Sequence, residues 1–186
     1  MTTKFPSHIS LPREARSELI EMLNNCLATA VDLHWQVKQA HWNIRGSHFI
    51  SRHLLFDKVA DHVRLHADEF AERAGALGGY AEGTIRLAVK NTELEEYDLS
   101  AVNGDDHVRV VVDRVARYAA MVREGIQRSD GLNDPVTADM LTQILGVTEE
   151  DLWFLESHLY GSANVAREES APAAIREETS SSVSDA

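Results

Sequence analysis

The sequence predicts an all-α fold, a four-helix bundle whose second and third helices are joined by a long connection carrying a short helix of its own. Three observations lead there. Apolar residues recur at helical spacing over four long stretches. Only four Pro and ten Gly occur in 186 residues, which favours long uninterrupted helices. The start and stop signals that do occur, at Pro12, Gly46, Gly78-Gly79, Gly104, Asp134-Pro135 and Gly161, fall between the periodic stretches rather than inside them.

Residues 1–9 read as a short flexible polar tail, and residues 10–164 as the bundle. The first helix starts at Ser10 and Pro12, carries Leu19, Leu23, Leu27, Val31, Leu33, Val37 and Ala40 inward, and ends near Gly46. The second runs from about Phe49 to the Gly78-Gly79 stop on Leu55, Val59, Val63, Phe70, Ala74 and Leu77. Residues 80–104 have weak periodicity and form the crossover. The third helix begins near Asp105 or Asp106; its run VRVVVDRV has strand-like β-branching, but the spacing Val108, Val111, Val115, Tyr118, Val122, Ile126 persists too long for a strand. The fourth has Asp134 as N-cap and Pro135 at its first position, packs Leu141, Ile144, Leu145, Leu152, Leu155 and Leu159, and stops at Gly161. Beyond it, residues 165–186 read as a flexible, acidic, Ser-rich tail with five acidic and two basic side chains.

Composition narrows the function. The net charge of −12 attracts cations and repels phosphate backbones, which makes DNA binding weak or absent. The single Cys26 forms no intrachain disulfide and suits a core thiol in a reducing compartment. The N-terminus lacks an apolar signal segment and no apolar run is long enough for a membrane span, so a cytoplasmic protein with no membrane partner is expected.

The chemistry concentrates in residues 38–79. His53 and Asp57 are four apart on the second helix, as are Asp68 and Glu72, and all four fall on one stripe. Yet His53 and Asp68 lie 15 residues apart, about 22 Å along the axis, far beyond the reach of one metal ion. Two copies packed antiparallel about a twofold axis bring His53 and Asp57 of one chain against Asp68 and Glu72 of the other, pairing residue i with roughly 125 minus i. His41 joins from the first helix across the turn at Gly46. Two imidazoles and three carboxylates suit iron(II), leaving positions open for dioxygen, peroxide or water. His62 and His66 point elsewhere on the helix, and Trp35 and Trp153 read as packing residues.

With Lys38, His41, Trp42, Asn43, Arg45, Gly46, His53, Asp57, Asp68, Glu72, Arg73 and Leu77-Gly78-Gly79 in place, the chain resembles the Dps family of mini-ferritins. The likeness continues through Asp139 and Leu152-Trp153-Phe154-Leu155-Glu156. It implies a ferritin-like bundle and a hollow dodecamer built from twofold dimers. It also implies a ferroxidase using hydrogen peroxide or dioxygen, with two irons, or one tight and one loose, per intersubunit site. His41, His53, Asp57 and Glu72 are its expected ligands, and Asp68 either a ligand or the group that orients a histidine; zinc or manganese are the expected competitors. Trp42 either intercepts oxidising equivalents, as the resemblance suggests, or packs. Asp139 matches an acid of the threefold pores. The family's second pore acid is replaced by Val136, which leaves Asp134 as a substitute. A nucleoid-compacting role is the alternative function. Against classical intrasubunit di-iron bundles stands the absence of any Glu-x-x-His.

Overall fold

The computed structural model describes residues 3–160 and places five helices there: α1 Arg13–Asn43, α2 Phe49–Ala76, α3 Ile85–Asn91, α4 Gly104–Gly131 and α5 Pro135–Ser157. Antiparallel hairpins α1–α2 and α4–α5 pack with α1 against α4 and α2 against α5, while short α3 lies along α1. This is the expected four-helix bundle, and the described residues contain no strand.

The core is apolar and continuous. Leu19, Leu23, Leu33, Phe56, Phe70, Tyr118, Leu141, Ile144 and Leu155 are all fully buried side chains. Truncating Phe56 or Phe70 to Ala removes a buried ring and costs about 3–5 kcal/mol. The β-branched run of α4 is helical, as its spacing required.

Element ends are set by identifiable contacts. Gly46, at φ +108°, turns the chain from α1 into α2. Gly78, at φ +89°, ends α2, and its neighbour Gly79 donates to Ala74 O at 2.9 Å. The Gly78 carbonyl then accepts from both Lys4 N (2.9 Å) and Phe5 N (3.0 Å), so residues expected as a free tail lie against the end of α2. A side chain at Gly78 would meet Phe5 O at 2.7 Å. Helix α4 begins at Gly104, slightly before the expected Asp105 or Asp106, because Asn103 and Asp106 form a reciprocal capping box. Helix α5 starts as expected behind Asp134 and ends at Ser157, before the expected stop. Gly161 and the acidic segment expected over 165–186 lie outside the described residues.

Candidate metal site

The α1–α2 hairpin stacks His41 on His53, ring centres 3.7 Å apart and planes 21° from parallel. Each ring is held by the other helix's backbone: His41 Nδ1 lies 2.9 Å from His53 O, and His53 Nδ1 3.0 Å from His41 O. A carbonyl only accepts, so both Nδ1 atoms donate and both Nε2 lone pairs are left for another partner in the neutral rings. This is the backbone restraint that fixes a metal-ligating imidazole.

Asp57 stands one turn beyond His53, its Oδ1 3.9 Å from His41 Nδ1. It accepts from Lys38 Nζ at 2.6 Å. That hydrogen bond is the chief reason the Asp57 carboxyl lies below the usual carboxylate range; slight burial opposes it, and Lys38, His41 and His53 charge adds to it. Spacing of i, i+3 on α1 (Lys38, His41) and i, i+4 on α2 (His53, Asp57) makes the four converge.

Asp68 and Glu72 are exposed at the opposite end of α2. Between them Glu69 has its carboxyl pushed up, first by burial and then by the charges of Asp68 and Glu72. Among the described residues, no three His, Cys, Asp or Glu of one chain gather closely enough to hold an ion. The His53–Asp57 and Asp68–Glu72 pairs share one face of α2 with Ile50, Leu54 and Leu65, which are 63%, 60% and 49% exposed.

Trp42 borders the histidines and is half-exposed, its ring 6.2 Å from that of Trp35. Buried packing is therefore not its role within one chain. Nor is it that of Trp35 or Trp153, expected to pack but open to solvent here. Trp35 and Trp42 are seven apart, two turns of α1, and so share one face of that helix.

The pore candidates separate. Asp139 is exposed and accepts from Gln143 Nε2 at 2.8 Å. Asp134 is buried, takes both oxygens to Arg73 Nη2 at 2.9 and 2.8 Å, and accepts from the Thr137 hydroxyl and backbone. Burial pushes its carboxyl up, but those bonds more than offset it and the net shift is downward. A carboxylate so engaged is a structural clamp within the chain.

His62 and His66 stay apart from the site. His62 Nδ1 meets Asp151 Oδ2 at 2.7 Å, while burial lowers His66, packed by Tyr118, to about 4. Cys26 is a core thiol raised to about 12 by burial and, less, by Glu93. The Lys38–Asp57 and Arg73–Asp134 pairs went unrecognised in the sequence. Only the first carried a signal, Lys38 lying one turn before His41.

The ferritin-like domain family matches residues 20–161. A DNA protection during starvation protein of Agrobacterium fabrum is 38% identical over 149 residues, 80% of this chain and 92% of its own. The chain belongs to the Dps family of mini-ferritins. Solved Dps structures superpose closely. DpsA14 from Streptomyces coelicolor has a TM-score of 0.80 at 32% identity, covering 85% of this chain and 94% of its own. A Mycobacterium smegmatis Dps gives 0.79 at 29% identity, over 83% and 94%. No described helix of this Dps chain is long and apolar enough to cross a membrane.

Proposed function

We propose that this Dps chain oxidises iron(II) at sites shared by two subunits and stores the iron(III) inside a hollow dodecamer, in the cytoplasm. The observation that supports this reading is the carbonyl-locked His41–His53 pair, whose Nδ1 bonds leave both Nε2 lone pairs for another partner, with Asp57 one turn beyond His53. An antiparallel second copy supplies the rest: Asp68 of the partner subunit and Glu72 of the partner subunit. The exposed stripe of Ile50, Leu54 and Leu65 between the two half-sites gives the copies an apolar surface to bury.

The mixed nitrogen and oxygen set suits iron(II), the substrate, and also admits zinc or manganese as competitors. Two iron(II) ions each give one electron to one hydrogen peroxide; its O–O bond breaks and two protons are taken up to give two waters. Dioxygen is the alternative oxidant in this reading. Trp42, exposed beside the pair, is placed to take up a stray oxidising equivalent. Asp139 lines the route by which cations enter.

The relatives' name speaks of protecting DNA. A net charge of −12 favours doing so by removing iron and peroxide rather than by coating phosphate. Anaerobic loading with iron(II), followed by peroxide and dioxygen in separate runs, tests the assignment. Oxidation at two irons per site, in an assembly of twelve-chain mass, is expected; rates no faster than buffer with both oxidants contradict it.

A further inference from the structure

The bundle end opposite Asp134 and Asp139 carries a different charge. There the α1–α2 turn, α2 and the start of α4 surround an open cavity of about 620 Å³, lined by Arg45, Arg52, Asn103, Gly104, Asp105 and Arg109 among others. Three guanidinium groups from three segments converge in a chain that is strongly acidic overall. Guanidinium groups gathered this way repel one another, and the carboxylates of Asp105 and Asp106 offset part of that repulsion.

Arg52 is the least expected of the three, since its side chain is only 7% exposed. Its Nη2 donates to Asp105 Oδ1 at 2.5 Å and to His158 O at 3.5 Å, but its buried Nε has no hydrogen-bond partner. Its Nη1 occupies the space a Gly104 side chain would fill, so Gly104 lets the guanidinium reach the first turn of α4. Asp105 offsets Arg52, and Asp106 offsets Arg109 at 3.4 Å. Arg45, exposed in the cavity lining, donates to two neutral carbonyls, of Trp42 and Ile44. The positive end of the α4 dipole points the same way. His158, whose carbonyl accepts from Arg52, is held below its ordinary value first by burial and then by Arg52 and His48.

We infer that this cavity is a binding site for a phosphate group, taken up by Arg45 and Arg109 beside the buried Arg52 at the N-terminus of α4. Guanidinium forks match tetrahedral oxyanions in geometry and charge. The site is distinct from the iron half-sites and does not rest on the ferroxidase reading.

The test is calorimetric titration of the full-length, iron-free protein with inorganic phosphate in chloride buffer at pH 7. Saturable uptake of one phosphate per chain is expected. It should weaken at least about tenfold in Arg109→Gln and again in Arg45→Gln/Arg109→Gln, each loss being one charge-assisted contact. Arg123→Gln, on the far part of α4 beside Glu149, serves as a control that binds like wild type. A parallel titration with glycerol phosphate separates the two sources of the group. Competition with phosphate admits phosphomonoesters, and no binding restricts the site to the free ion. Absence of saturable phosphate binding, or equal binding by wild type and a double variant of unchanged helicity and mass, overturns the proposal.

Discussion

Lys38→Met should move stability and iron affinity in opposite directions. Lys38 Nζ lies 2.6 Å from Asp57 Oδ1, with side chains 20% and 48% exposed. A pair this open contributes about 0.2–1 kcal/mol to the iron-free fold. The variant should therefore lose up to about 1 kcal/mol at pH 7, or about 2–4 °C of thermal midpoint for a chain of this size. Because the folded Asp57 carboxyl lies below its ordinary value, the contribution is complete above the ordinary value of 3.8 and is lost as pH falls through the lowered one. Wild type and variant should thus converge in strong acid. In the proposed site iron(II) takes Asp57 from Lys38, so the same energy opposes loading, and the variant should bind iron(II) up to about fivefold tighter. Equilibrium titration without oxygen reads the affinity, and calorimetric melts read the stability. Weaker iron binding in Lys38→Met would show that Lys38 supports the site instead of competing for it.

Asp134→Ala should cost about 3–5 kcal/mol by leaving Arg73 unpaired in a largely buried position, with about 1 kcal/mol more from the lost cap; chemical denaturation measures it, and a cost under 1 kcal/mol would deny the clamp. Asp151→Asn should have the opposite sign. Burial pushes the Asp151 carboxyl up despite His62 and Lys58, and its Oδ1 has no hydrogen-bond partner. Ionised Asp151 therefore destabilises the fold above its raised value, and that cost disappears below the ordinary carboxylate value. The variant should gain stability at pH 7 and nothing in acid melts; a loss at neutral pH would refute this. The intact assembly should not shift duplex DNA in a gel at about 150 mM salt, and nanomolar binding there would restore the compaction reading.

What could be seen in the sequence depended on distance along the chain. The helices were legible because each buries a face at its own spacing, as Leu19, Leu23 and Leu27 do on α1 or Val108, Val111 and Val115 on α4. His53 with Asp57 and Asp68 with Glu72 were legible for the same reason, being neighbours on one helix. The stacking of His41 on His53 was anticipated only as proximity across Gly46. The reciprocal carbonyl bonds that fix both tautomers depend on the α1–α2 register, which no local spacing encodes. Arg73 and Asp134 are 61 positions apart, and a cap residue reads as exposed until its partner is known. Trp35 and Trp153 misled because a large apolar ring on a helix resembles core, whereas here both lie on outward faces.

Shared sites are tested most directly by mixing two inactive variants. His53→Ala/Asp57→Ala lacks the imidazole end, and Asp68→Ala/Glu72→Ala lacks the carboxylate end, so each homogeneous assembly should fail to oxidise iron(II). In a mixed dimer, the intact His53 and Asp57 of the second variant face the intact Asp68 and Glu72 of the first, restoring one of two sites. Random coassembly makes about half the dimers mixed and should return roughly a quarter of wild-type activity. Coassemblies shown by mass to contain both chains, yet no faster than either parent, would contradict the two-chain site.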